Sequence, residues 1–180
     1  VLREGELRAG QALKIIPNLR VAILTLSDKS YQGTREDKSG PAIARALEDK
    51  AQVLAQEILP DDKEMIQAKL IEYARDNIDV VFTTGGTGFA PRDVTPEATM
   101  AVIDREAPGI AEAIRAASMR VTPKAMLSRG VAGILDRTLI INFPGSPKAA
   151  LECLEVFLPA MNHAVETLRG DAYECANQVK

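Results

Sequence analysis

The sequence predicts an α/β domain with a three-layer architecture, a mainly parallel sheet carrying helices on both faces. Four short runs rich in Val, Ile, Leu and Thr, at residues 21–27, 53–59, 79–84 and 138–143, are nearly continuously apolar, as strands buried on both faces must be. Segments with helical spacing of apolar residues separate them, which is the alternation of β-α-β crossovers. The chain has 180 residues, 46% of them hydrophobic, which suits one core with at most a short extra segment.

Taken in order, the strand at 21–27 runs into Ser27-Asp28 and a polar loop over 29–38. Ser39 then stands where a cap is needed for a helix with Ile43, Ala44, Ala46 and Leu47 on its apolar face. After the strand at 53–59, Asp61-Asp62-Lys63-Glu64 reads as a capping box opened by Asp61, ahead of a helix bearing Ile66, Leu70, Ile71 and Tyr73. The strand at 79–84 enters Gly85-Gly86-Thr87-Gly88, and Thr95 as N-cap with Pro96 at the first helical position opens the next helix. A further helix is expected over 108–120. Residues 131–135 and 138–143 read as a hairpin turning at Asp136-Arg137, and a last helix runs from Pro147 towards Leu168 with a break at Pro159.

Residues 1–17 stand apart from this series. They have strand-turn-strand character with two glycines and begin at Val, so they are expected to be the tail of a preceding domain, with Pro17-Asn18 as the junction. Residues 18–170 then form the α/β domain, and 171–180 a loose tail holding Cys175.

Composition excludes several function classes. With 22 basic and 25 acidic residues interspersed, net charge −3, there is no basic field for a nucleic-acid backbone and no Lys/Arg run suited to a membrane surface. No apolar run approaches the roughly 18 to 20 residues that span a bilayer, and the first residues are too polar for a secretory signal. Cys153 and Cys175 are isolated, which fits a reduced, cytoplasmic setting. The single histidine, His163, lies in an apolar-spaced segment with Phe157, Leu158, Met161 and Val165, where a structural helix position is expected. One histidine and two distant cysteines cannot build a zinc cluster. Chemistry must therefore rest on carboxylates, backbone amides and hydroxyls.

Gly85-Gly86-Thr87-Gly88 follows a buried strand, which places it at the carboxyl edge of the sheet, where open α/β folds bind ligands. Three glycines in four positions let amides close on an anion, although a tight turn alone would also use them. Asp61 and Asp93 follow two different strands on that same edge, where paired carboxylates could hold Mg²⁺ on a phosphate-bearing substrate; capping remains the competing role for Asp61. Ser27 and Asp28 end the first strand, Ser128-Arg129 precedes a glycine, and Asn142-Phe143-Pro144-Gly145-Ser146-Pro147-Lys148 leads from a strand end to a helix start. A helix N-terminus is itself an anion site, and Ser146 serves equally as its cap.

The stretch Thr84-Gly85-Gly86-Thr87-Gly88-Phe89-Ala90-Pro91-Arg92-Asp93-Val94-Thr95-Pro96-Glu97-Ala98 resembles the molybdopterin adenylyltransferases of the Mog type and the related MoaB proteins. Leu59-Pro60-Asp61, Ala125-Met126-Leu127-Ser128-Arg129 and residues 140–148 continue the resemblance in the same order, over roughly 20–168. It implies a molybdopterin-binding fold, usually trimeric, in which the terminal phosphate of molybdopterin attacks the α-phosphorus of Mg-ATP to give adenylylated molybdopterin and pyrophosphate. It implies Asp61 and Asp93 as the essential, metal-holding acidic pair, with Ser128 beside them. Substrate-binding candidates on matching segments are Ser27, Asp28, Gly85, Gly86, Thr87 and Gly88. Arg92, Arg129, Asn142, Pro144, Gly145 and Ser146 join them. Asp62 departs from the pattern, where Glu commonly follows. Residues 1–19 are similar to the end of a MOSC domain. A partner that inserts molybdenum is implied, whereas nucleic acid and membrane are not.

The assigned reaction suits a chain poor in histidine, because a phosphate monoester with a second pKa near ~6 is already nucleophilic at neutral pH. Two rivals stay open on the sequence alone. One is a non-catalytic molybdopterin-binding module, since fold does not dictate function. The other is a nucleotide-processing enzyme of the competence-damage type, whose related domain shares the glycine loop but departs at Arg92-Asp93-Val94-Thr95.

Overall fold

The computed structural model describes residues 19–170. The expected tail of a preceding domain at 1–17 and the tail at 171–180 lie outside the described residues. Six strands form one sheet: β1 (Arg20–Leu26), β2 (Gln52–Leu59), β3 (Val80–Thr84), β4 (Arg105–Glu106), β5 (Ala132–Leu135) and β6 (Thr138–Phe143). Their order is β2-β1-β3-β6-β5-β4. β2, β1, β3 and β6 are mutually parallel, while β5 pairs antiparallel with β6 and β4 with β5. The sheet is thus mainly parallel, and the expected β5–β6 hairpin forms with Leu135 opposite Thr138.

The helices are α1 (Asp28–Tyr31), α2 (Ser39–Leu47), α3 (Lys63–Arg75), α4 (Thr95–Met100), α5 (Pro108–Met119) and α6 (Pro147–Arg169), with a 3-10 turn at Pro123–Leu127. Alternation along β1 sorts them into two layers. Val21 and Ile23 join a core with Ile43, Ile114, Phe157 and Met161, from α2, α5 and α6. Ala22, Leu24 and Leu26 face Ile66, Leu70, Tyr73 and Ala98 of α3 and α4 on the other side. Helices therefore cover both faces, and Phe82 stacks on Phe143 across the parallel β3–β6 pair at a centroid distance of 5.0 Å.

Several local expectations are corrected. Ser39 does not cap α2: the Asp37 carboxylate accepts from the amides of Ser39 and Gly40, and the Ser39 hydroxyl donates to the Gly145 carbonyl instead. Asp62 caps α3, accepting from the Met65 amide at 2.9 Å, so no capping duty falls on Asp61. Thr95 lies inside α4 and its hydroxyl donates to the Gly85 carbonyl. Pro159 does not break α6, because the burial of Cys153, Leu154, Phe157, Met161 and Val165 continues through it. The short β4 and the single turn of α1, inside the expected polar loop, have no counterpart in the sequence reading.

Candidate active site

β1 pairs with β2 on one side and β3 on the other, so the chain reverses its direction of winding there. That is the switch point at which open parallel sheets form a crevice outside their carboxyl ends. A cleft of about 840 Å³ lies at this position, lined by Ser27, Asp61, Gly85, Gly86, Thr87, Gly88, Asp93, Gly145 and Ser146. Residues following β1, β2, β3 and β6 thus converge, as the strand-end argument requires.

The glycine loop is shaped by its neighbours. Gly85 has φ +107°, and a methyl group there would collide with the Leu26 carbonyl oxygen of β1. Gly86 has φ +63°, in the left-handed region, and a Cβ would meet Thr95 Oγ1 and lie 3.0 Å from Asp61 Oδ1. The Gly85 amide is taken by the Phe143 carbonyl, while the amides of Gly86, Thr87 and Gly88 donate to no described group. These three residues line the cleft beside the N-terminal ends of α2 and α6, an arrangement suited to an anion cradle.

The two carboxylates differ in setting. Asp61 Oδ2 accepts from the Asp28 amide at 3.2 Å, whereas Asp61 Oδ1 is buried without a hydrogen-bond partner. Burial pushes the Asp61 carboxyl above its ordinary value, and the charges of Asp28 and Asp93 add to the push, against the Asp28 hydrogen bond and the Arg92 cation. Asp93 Oδ2 accepts from the Ala90 amide at 3.0 Å and would lie 2.8 Å from a Cβ at Gly88. An orphaned buried oxygen and a second carboxylate on one cleft fit a hard divalent cation.

Other candidates are spent on the frame. Arg92 forks onto Asp28, with Nη2 to Oδ1 at 2.8 Å, and also donates to the Asp61 carbonyl. Arg129 donates to the carbonyls of Gly88 and Asp93 and pairs with Glu97. Asn142 is buried and bonds Thr83, Thr99 and the Val131 amide.

Ser128, Asn142 and Pro144 line a second, mostly apolar pocket of about 290 Å³ with Ala111, Ile114, Leu127 and Cys153. The two hollows share Thr87 and Gly88. Arg35, Asp37 and Lys38, which the sequence reading left inside a polar loop, also line the cleft, and Arg35 donates to Ser27 Oγ at 2.9 Å. The signal for them was Asp37-Lys38-Ser39-Gly40, an acid two residues ahead of a helix N-terminus.

The switch point of the parallel sheet thus brings the glycine loop and two acids to one cleft. The chain belongs to the family described as a probable molybdopterin binding domain, whose profile matches residues 22–163. Molybdopterin adenylyltransferase of Helicobacter pylori J99 is 40% identical over 157 residues, which is 85% of this chain and 89% of that protein. The crystal structure of the molybdopterin biosynthesis enzyme MoaB from Thermus thermophilus superposes with a TM-score of 0.80 at 50% identity, covering 84% of this chain and 97% of that one. Other relatives are longer: the chain spans 26% of the molybdenum cofactor synthesis protein cinnamon of Drosophila melanogaster and 22% of gephyrin of Dictyostelium discoideum, at 40% and 42% identity. No described helix is long and apolar enough to cross a membrane.

Proposed function

We propose that this chain is a molybdopterin adenylyltransferase acting in molybdenum cofactor biosynthesis. The observation that carries the reading is the cleft itself: Asp61 Oδ1, buried and unpartnered, shares one wall with Asp93 and the free amides of Gly86, Thr87 and Gly88. A polar cleft joined to an apolar pocket through Thr87 and Gly88 suits a substrate pair with phosphates at one end and a flat heterocycle at the other.

ATP would lay its triphosphate along the glycine loop, and the pterin would enter the pocket beside Ser128. An oxygen of the molybdopterin phosphate attacks the α-phosphorus of ATP, the bond from that phosphorus to the bridging oxygen breaks, and pyrophosphate leaves with the electron pair. No base is needed, because the nucleophile is a phosphate dianion near neutral pH. The protein contributes position and charge. Asp61 and Asp93 are the residues that would hold Mg²⁺, which when bound neutralises charge on the triphosphate. The glycine-loop amides and the N-terminal end of α6 at Ser146 hold phosphate oxygens in line. Ser27 and Arg35 also line the cleft.

A homotrimer, a cytoplasmic location and transfer of the product to a molybdenum-insertion protein complete the proposal, on the family resemblance. The test is turnover: chain, molybdopterin, ATP and Mg²⁺, following pyrophosphate and adenylylated product, beside Asp93→Asn. Product from the parent and none from the variant is expected. Tight molybdopterin binding without product from either would assign the chain to binding modules.

A further inference from the structure

The family resemblance implies Arg129 as a group to bind substrate. Its guanidinium is already committed. Nε donates to the Gly88 carbonyl at 2.7 Å, Nη2 donates to the Asp93 carbonyl at 2.6 Å, and Nη1 pairs with Glu97 of α4. The Arg129 amide adds a bond to the Thr87 carbonyl at 2.9 Å. One side chain thus grips both ends of the segment from Gly88 to Asp93, the last residue of the anion cradle and the second carboxylate. Inside that segment Asp93 Oδ2 takes the Ala90 amide, so the direction of the carboxylate is tied to the backbone that Arg129 holds.

Two carbonyl oxygens and one carboxylate need a fork of donors, and guanidinium supplies it where the point charge of lysine does not. We infer that Arg129 is a positioning residue: with Glu97 it fixes the Gly88–Asp93 loop so that Asp93 meets the cation bound with ATP, and it does not itself bind phosphate. The inference rests on the adenylyltransferase reading for its kinetic arm, and on this chain's own loop for its structural arm.

The experiment compares the full chain with Arg129→Lys, Arg129→Ala and Glu97→Gln. Three quantities are followed: the Mg²⁺ dependence of pyrophosphate release, molybdopterin affinity by calorimetry, and hydrogen exchange of the Ala90 amide without ligands. For Arg129→Ala the maximal rate is expected to fall about 100-fold, the scale of a misplaced catalytic group. The Mg²⁺ concentration for half-maximal rate should rise about 10-fold, as it would for a displaced carboxylate ligand. Ala90 exchange should accelerate, molybdopterin affinity should hold, and millimolar guanidinium should restore part of the rate. Arg129→Lys should resemble Arg129→Ala, with Glu97→Gln intermediate. Circular dichroism identifies a variant that fails to fold, and Glu97→Gln, which leaves both carbonyl contacts in place, then carries the comparison.

Unchanged Ala90 exchange with molybdopterin affinity falling in step with the rate would overturn the inference and make Arg129 a ligand. Full rescue by lysine would overturn it also, since charge alone would then suffice. If the parent chain shows no turnover, the adenylyltransferase reading fails, while Ala90 exchange still decides whether Arg129 sets the loop.

Discussion

Asp28 and Asp61 hold each other by reciprocal hydrogen bonds: the Asp28 amide donates to Asp61 Oδ2 at 3.2 Å, and the Asp61 amide donates to Asp28 Oδ1 at 3.0 Å. Arg92, adjacent to Asp93 in sequence, closes the group by forking onto Asp28 and reaching the Asp61 carbonyl. The loops after β1, β2 and β3 are therefore locked together at the point where the two candidate metal ligands emerge. The Arg92 hydrogen bond holds the Asp28 carboxyl below its ordinary value although burial opposes it.

Loosening this lock should cost turnover more than stability, because the contacts are largely exposed and exposed pairs contribute little to folding. Asp28→Asn and Arg92→Lys are each expected to lower kcat by about 10- to 100-fold, the cost of displacing a catalytic group by a fraction of an ångström. Melting temperature should move little. Steady-state pyrophosphate release beside thermal unfolding checks this, and a variant that loses stability but keeps kcat would show the lock to be structural only.

Asp61 should be a liability to the folded chain without ligands. Its folded-state pKa is raised, first by burial, so as pH climbs the unfolded chain ionises before the folded one and unfolding is favoured. Its penalty is absent in acid, grows as pH rises above the unfolded value, and levels off above the folded value. Asp61→Asn, which keeps an acceptor for the Asp28 amide, is expected to stabilise the metal-free protein at neutral pH. The gain is limited by the partial exposure of the group. The gain should vanish in acid, and the variant should have no turnover. Denaturant unfolding across pH measures it; a gain independent of pH would remove the ionisation argument.

Much of this was legible in the chain, and the exceptions have physical causes. The parallel strands and the β5–β6 hairpin announce themselves through apolar runs and turn residues, since burial on both faces leaves few alternatives. The strand ends that carry Asp61, Asp93 and the glycine loop follow from topology alone. Capping was misread by one residue, because Asp61 and Asp62 are chemically equivalent and only the backbone decides that Asp62 faces the Met65 amide. Pro159 misled because its local cost of ~3 kcal/mol is visible in sequence, whereas the buried stripe of α6 that outweighs it is a tertiary property. Arg35 and Asp37 were hidden by the polar loop around them, and their place in the cleft depends on the turn of α1.

The glycine loop can be tested for geometry separately from chemistry. A Gly85→Ala methyl group would be driven into the Leu26 carbonyl, at a φ of +107° that side chains resist, and the atom it would meet is backbone of β1, held by the sheet. A loss of about 3 kcal/mol or more is expected, as for strain at a special backbone conformation. Gly109 in α5 has open space around its Cβ position, so Gly109→Ala should be neutral or stabilise by up to about 1 kcal/mol. Paired denaturation curves settle it: equal effects would show the close approach to Leu26 to be unimportant.

Asn142 presents the clearest separation between internal linkage and ligand binding. Its side-chain amide donates to Thr83 Oγ1 at 2.9 Å and Thr99 Oγ1 at 3.0 Å, and its oxygen accepts from the Val131 amide at 3.3 Å, joining β3, α4 and the entrance to β5. Thr83 and Thr99 are fully buried, so a leucine in place of Asn142 leaves polar groups that water cannot reach. Asn142→Leu, which keeps the branched outline but is bulkier, is expected to cost about 2–4 kcal/mol, which for a domain of this size lowers the melting temperature by roughly 5–15 °C. Below that temperature, kcat/KM per folded molecule should stay within about 10-fold of the parent, the loss expected if only second-hand effects reach the pocket. A stable Asn142→Leu protein with collapsed molybdopterin affinity would reverse the assignment and return Asn142 to the substrate.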